Sequence, residues 1–449
     1  MNIMDYKEDL KTIIEIYIEE NNTNKFTKDE LEELIDYCHL NINEYYNIYV
    51  SRSIIKDQIK ELLEKIYVYI DCKESKISIS KTQTDIAYDK LEEHYYYLLN
   101  LPQPEQKSQA WFDMRNNMIT ASSAAQAMGE SKYDTLEQFI YEKVFGREFS
   151  ENKYVHHGKK YEHIATMFYQ HVYDVKVGEF GLLKHPEIDF IGASPDGICS
   201  AYKLDGTRGS PLLGTMVEIK CPMTREIKTS GTIIDGICPY YYWVQVQLQL
   251  QCCNLQRCDF IQLSIKEYET DEETTAHDKF MNDNHLLDHT ENQNTIVKIN
   301  PNFGRSAVIQ LLPIKFTQKV QYERREWYSK YIYPPSLDMS KGDILNWIDE
   351  EKKKFEKDPL SKNYKFDKPL FFRIVTSHNT SIYREDKWFE EAVPKLKVTW
   401  DKIKFLRENK TEALKFKEDM DSRKKTNKPV FQPKSFVKKP DDGFLDSED

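Results

Sequence analysis

A chain of 449 residues exceeds what one hydrophobic core usually organises, and 40% apolar with 31% charged residues excludes a wholly disordered chain. The net charge of −11 gives no overall basic field for nucleic acid, although a local groove of lysine and arginine can coexist with an acidic whole. The eight cysteines hold no Cys-x-x-Cys pair, Met1 to Lys7 has no apolar signal core, and no run approaches the roughly 18 apolar residues of a membrane span; structural zinc is disfavoured and a reducing, intracellular, soluble setting is predicted.

Residues 1–100 read as a helical accessory region. Thr27 and Glu30 carry a capping-box signature ahead of Leu31, Leu34, Ile35 and Cys38, and Ile54, Ile55, Ile59, Leu62, Leu63 and Ile66 recur at helical spacing. The prolines of Leu101 to Gln106 suit a linker. Residues 101–312 form the next expected domain, with mixed helix and strand from Trp111 to about Lys266. Within it, Glu267 to Thr295 reads as a loop or exposed helix, and Ile296 to Leu312 supplies a strand or two. Residues 313–418 read as mostly helical, and 419–449 as a disordered tail with little to bury.

The chemistry concentrates between Arg115 and Gln247. In Met216-Val217-Glu218-Ile219-Lys220-Cys221-Pro222, a period of two puts Glu218 and Lys220 on one face of a strand, which Pro222 ends. Alone, this is an ordinary amphipathic strand. Upstream, Phe190 to Ile198 runs from a short apolar strand into Ser194-Pro195-Asp196-Gly197, where aspartate bonds the local backbone and glycine takes positive φ; most such aspartates only form turns. A hairpin through Leu204 to Gly209 would return Glu218 beside Asp196. Two adjacent carboxylates repel unless a cation neutralises them, and hard oxygen ligands suit Mg²⁺ or Mn²⁺. A lysine on the same face orients or helps deprotonate an attacking water, so the set suits phosphodiester hydrolysis.

Asp196 followed by Glu218-Ile219-Lys220 resembles the PD-(D/E)xK nuclease signature, and further motifs resemble its YqaJ-like and lambda-type exonuclease branch. These are Trp111 to Arg115 with Ile119 to Ser122, then His157 to Glu162, then Tyr242 to Gln247. The resemblance covers about a third of the chain, and the abundance of Ile, Lys, Asn and Tyr suggests the AT-rich genome of a large DNA virus. It implies an α/β (α+β) restriction-endonuclease-like core, a mixed central sheet flanked by helices, with helical N-terminal and C-terminal regions added.

By that resemblance Asp196 and Glu218 are metal ligands with the carbonyl of Ile219, and Glu162 lies at the same centre, which takes two Mg²⁺ or Mn²⁺ ions. Lys220 serves the nucleophile, Gln245 positions the water or the lysine, and Arg115 with Ser122 holds a phosphate, the 5′-terminal one on the family's pattern. The implied activity is 5′→3′ digestion of duplex DNA ends in recombination, repair or replication, in host cytoplasm or nucleus. A single-strand annealing protein and a homo-oligomer are the implied partners.

Each residue also has a bland reading. Arg115 and Ser122 serve equally as a surface arginine and a helix cap, Glu162 as a first-turn carboxylate, and Gln245, Gln247, Gln249 and Gln251 as one face of a strand. Tyr240 to Trp243 have no assigned role, and Cys252, Cys253 and Cys258 lack the fourth ligand of an iron–sulfur cluster. A structure-specific or general endonuclease on the same fold, and a catalytically silent DNA-binding scaffold, are the competing readings.

Overall fold

The computed structural model describes residues 28–46, 83–104, 108–146, 152–285, 287–292, 295–296, 303–316 and 325–426, with positions 10, 14, 52, 55, 56, 58 and 59. The expected cap at Thr27, the positions Ile54, Leu62, Leu63 and Ile66, and the tail from 427 on lie outside the described residues.

The elements in chain order begin with α1 (Lys28–Tyr46), α2 (Gln83–Leu99), α3 (Gln109–Asn116), β1 (Ile119–Thr120), α4 (Ala124–Ala127), α5 (Leu136–Phe145) and α6 (Lys153–Tyr173). Short strands β2 (Val177–Gly178), β3 (Leu183–Lys184), β4 (Ile191–Ala193) and β5 (Gly197–Cys199) lead to β6 (Met216–Lys220), α7 (Tyr240–Cys253) and β7 (Arg257–Glu267). Then come α8 (Ala276–Asn282), β8 (Asp288–Glu291), β9 (Thr295–Ile296), β10 (Arg305–Pro313), β11 (Lys330–Ile332), α9 (Lys341–Phe355), β12 (Tyr364–Tyr383), α10 (Asp386–Glu408) and α11 (Lys410–Thr426). Among the described residues no helix is long and apolar enough to cross a membrane.

The architecture is the mixed sheet flanked by helices that the motifs imply. Its main path runs β11, β10, β12, β7, β6, β5, β2, with β8 beside β12 and β9 beside β8; β1, β4 and β3 make a separate three-stranded sheet. Strand β6 lies parallel to β7 and antiparallel to β5. Alternation along β6 sorts its neighbours. Val217 and Ile219 pack with Tyr161, Ile164 and Phe168 of α6, whereas Met216 joins Val244, Val246 and Leu248 of α7. Each fully buried aliphatic of this kind contributes roughly 1.5–3 kcal/mol, so a one-residue slip of β6 would forfeit both layers at once.

The region 313–418 contains the expected helices and also β12, a twenty-residue strand in the middle of the sheet. Along one edge β12 pairs with β7; along the other it pairs first with β10 and then with β8. Its sequence, opening Tyr364-Lys365-Phe366-Asp367-Lys368-Pro369, reads as charged because the first half is only partly covered, while Ser377 to Thr380 are buried polar residues. The final helix runs to Thr426, past the expected start of the tail at 419, since α11 has Ala413 and Met420 to bury.

Candidate active site

Gly197 of β5 faces Val217 of β6 across the antiparallel ladder, so the hairpin places Asp196 next to Glu218. The chain from Asp196 to β6 is tied down along its length: Gly214 N donates to Cys199 O at 2.9 Å and Cys199 N to Thr215 O at 2.8 Å. Gly197 is not needed for positive φ, as a simple turn would require. It is needed because a Cβ there would collide with Val177 of β2. Asp196 Oδ2 accepts from the Ile219 main-chain N–H at 2.7 Å, and its Oδ1 has no partner among the described residues.

Glu218 is fully buried. Its Oε1 accepts from Lys220 Nζ and, at 2.6 Å, from Gln245 Nε2; its Oε2 accepts from Gln249 Nε2 at 2.8 Å. Gln249 also reaches the Ser194 carbonyl at 3.3 Å, which links the β6 carboxylate to the segment that carries Asp196. The glutamines lie on a helix, not a strand. One hundred degrees per residue puts Gln245 and Gln249 on the face toward Glu218. Gln247 and Gln251 fall on another face, where Gln247 bonds Tyr383 O and Glu385 N, and Gln251 bonds Asp386 Oδ1 at 2.8 Å.

Gln249 is the residue the motif reading missed, and the available signal was its i+4 spacing from Gln245. Gln249→Leu keeps the volume but removes both hydrogen bonds, leaving Glu218 Oε2 buried and unpaired, a loss of about 1–3 kcal/mol per group. If the site performs the phosphodiester hydrolysis that the motifs imply, activity on a linear duplex should fall roughly ten- to hundredfold while the chain still melts cooperatively; full activity would remove Gln249 from the site.

Electrostatics mark the cluster as short of positive charge. The Asp196 carboxyl is held well above the usual carboxylate range, by burial first and then by Glu218 and Glu162, against Lys220 and the Ile219 N–H. Glu162 sits mid-helix in α6, ten residues in, so it is no first-turn carboxylate. Its outer side meets solvent, yet crowding by protein atoms raises its carboxyl, with Lys220 opposing and Glu218 and Glu179 adding to the rise. Burial acts to lower the Lys220 ammonium, but Glu218, Asp196 and Tyr242 outweigh it and keep the group charged. The Lys220 Nζ lies 4.5 Å from the centre of the Tyr242 ring.

Ionising Asp196, Glu162 and Glu218 together would set three negative charges against the single Lys220 ammonium, which is why burial and mutual repulsion raise Asp196 and Glu162. Among the described residues no three His, Cys, Asp or Glu side chains stand ready as a ligand cage. The donor set nonetheless suits a divalent cation: hard oxygens, a free Asp196 Oδ1 and an unbalanced charge.

Beyond the expected residues, Arg225 follows β6 and donates Nη2 to Gln262 Oε1 at 2.7 Å. Gln262 is fully buried and pairs with Lys220 in the β6–β7 ladder, so this guanidinium is held near the lysine.

Arg115 and Ser122 meet at a shared neighbour rather than at the carboxylates. Thr120 Oγ1 lies 3.5 Å from Arg115 Nη2 and 3.4 Å from Ser122 Oγ, both long contacts that a stronger acceptor would replace. The Arg115 guanidinium stacks 4.7 Å from the Trp111 ring centre, and Ser122 is exposed. Strand β1 between them pairs with β4, which runs through Ser194 into Asp196, so one short stretch of chain connects the two groups.

Comparison with known proteins agrees with the motif reading. Residues 110–256 match the family described as a YqaJ-like viral recombinase domain. An uncharacterized protein of Acanthamoeba polyphaga mimivirus is 38% identical over 311 residues, 69% of this chain and 54% of the relative, so the chain spans about half that relative's length. An alkaline exonuclease from Laribacter hongkongensis aligns at a TM-score of 0.35 and 19% identity, over 69% of this chain and 99% of its own. A phage-related exonuclease from Haemophilus somnus aligns at 0.32 and 11%, over 64% and 94%.

Proposed function

We propose that this chain is a Mg²⁺-dependent deoxyribonuclease that digests duplex DNA from its ends, 5′→3′, with Asp196, Glu218, the Ile219 carbonyl and Glu162 holding the cation or a pair of cations. The observation that carries the reading is the buried Glu218 carboxylate, beside Asp196 and bonded at once to Lys220, Gln245 and Gln249. A binding scaffold gains nothing from buried like charges that also repel phosphate. The viral recombinase character of residues 110–256 makes DNA the natural substrate.

A bound divalent cation supplies polarisation of the phosphoryl oxygen and a lowered pKa for the attacking water. The protein does the rest. Glu218 presents its oxygens from β6, and Asp196, the residue directly before β5, is fixed beside it by the Gly197–Val217 pairing and by its bond from the Ile219 N–H. Lys220, kept charged, donates toward the nucleophile and the phosphate oxygens as negative charge develops. Gln245 and Gln249 stop Glu218 from rotating when Lys220 turns to substrate. Arg115, with vacant donors in a planar fork, and Ser122 hold the 5′-terminal phosphate.

The test is digestion of 5′-phosphorylated and 5′-hydroxyl linear duplexes beside closed circular DNA, in Mg²⁺ and then in EDTA. The linear duplexes should shorten from their 5′ ends, the phosphorylated one faster, and EDTA should stop both. Cutting of the circle would replace the end-dependent reading with an endonuclease, and undiminished digestion in EDTA would remove the metal.

A further inference from the structure

Lys143, Arg407 and Arg115 converge on the C-terminus of α3, and among the described residues none of them hydrogen-bonds a carboxylate, although Glu142 lies within electrostatic range of Lys143. Lys143 of α5 donates to the Arg115 and Met118 carbonyls at 2.6 and 2.7 Å. Arg407 of α10 donates through Nη2 to Asn116 O at 2.8 Å and to Lys143 O at 2.7 Å, and lies 5.5 Å from the Trp400 ring centre. The third is Arg115. Among the described residues none of the three forms an ion pair with a carboxylate, although the chain carries 74 acidic residues against 63 basic ones.

Capping the last carbonyls of a helix takes one cation, or a glycine and none. Crowding three together is costly unless an anion offsets it. Lys143 is pushed down to about 7 by burial first and then by Arg115 and Arg407, with Glu142 only partly opposing them. Thr120 and Ser122 lie on the Arg115 side of this cluster, so an anion held there is the group that would relieve it.

We infer that Arg407 and Lys143 are positioning residues for the phosphate pocket: they lock residues 115–118 by their carbonyls and add positive potential behind Arg115. The inference rests on the proposed reading of Arg115 as a ligand of a DNA 5′-phosphate. It also gives the region beyond the recombinase domain a part in substrate recognition, because Arg407 stands about 150 residues after that domain's last matched position, 256. Its helix is anchored for that purpose, with Thr399 Oγ1 on Ala127 O at 2.8 Å and Lys395 on Glu130 at 2.7 Å.

The experiment measures kcat and KM on linear duplexes with 5′-phosphate and with 5′-hydroxyl ends, for the full chain and for Arg407→Ala, Arg407→Lys and Arg115→Ala. Arg407→Ala should raise KM for phosphorylated ends about tenfold with kcat changed less than about twofold, so that the preference for phosphorylated ends shrinks. Arg407→Lys should restore most of it. Equal slowing on both kinds of end, or an unchanged preference, would reduce Arg407 to a structural contact and overturn the inference. If Arg115→Ala loses the preference while Arg407→Ala keeps it, only this inference falls. If the parent chain shows no preference, the phosphate reading of Arg115 falls first and takes the inference with it.

Discussion

Glu218→Ala is expected to slow digestion of a linear duplex by at least about 10³-fold, on the order of 4 kcal/mol of transition-state stabilisation. The size follows from how many groups converge on one side chain. Removing it takes away an oxygen ligand, and it also strips Gln245 and Gln249 of their acceptor and leaves the Lys220 ammonium without its hydrogen-bonded carboxylate, facing Asp196 and Glu162. Lys220 then has reason to swing to Asp196, closing off the oxygen that has no other partner. Single-turnover digestion in Mg²⁺, with circular dichroism as the check on folding, measures the loss. Parent-like digestion by the variant would place the active site elsewhere. Glu218→Gln separates the two causes: it preserves size, so equal loss in both variants assigns the effect to charge.

Asp196→Asn should be as damaging to activity and yet, in EDTA, raise the melting temperature. An asparagine oxygen can still accept the Ile219 N–H, so the hairpin keeps its shape while the charge disappears. The Asp196 carboxyl is raised in the folded chain by burial, Glu218 and Glu162. A carboxylate raised above its unfolded value costs stability once the pH passes that unfolded value, near 3.9, and the cost grows until the folded value is reached. At neutral pH without metal the asparagine variant escapes this cost; below about pH 4 the two proteins should converge. Thermal melts in EDTA at pH 4 and pH 7.5 measure it. A variant that melts lower at pH 7.5 would mean that the carboxylate is satisfied in the protein as it stands, and the case for a cation there would weaken. The trade of activity for stability is the usual mark of a functional site.

The proposed site was legible as a set of spaced residues because the chemistry proposed for it demands particular side chains at particular strand positions. Glu218 and Lys220 share a face by the period of two, and Pro195-Asp196-Gly197 signals a break in the chain that the next strand can answer. Glycine at 197 drew the right attention for the wrong reason: its role is the close approach of Val177, a contact from twenty residues away that no local rule contains. The four alternating glutamines show the opposite difficulty. Spacing of two fits a strand, spacing of four fits two helix faces, and only packing of α7 between Glu218 and the start of α10 decides that the second applies.

From sequence alone came the acidic pair with its lysine, the arginine and serine upstream, the mixed α/β character of residues 111–266 and the helical texture of the flanks. Those follow from side-chain chemistry and local periodicity, which neighbours in the chain express directly. Tertiary structure alone decided that β12, some 150 residues beyond Glu218, completes the sheet beside β7, and that α10 anchors the glutamine helix through Gln247 and brings Arg407 to the loop after Arg115. A half-covered strand with charged residues on its open face has no periodicity of its own to announce it, and a cation reaching a distant carbonyl leaves no trace in spacing. Both depend on which surfaces meet after the chain has folded, and a carboxylate buried at no exposure, such as Glu218, is affordable only once they have met.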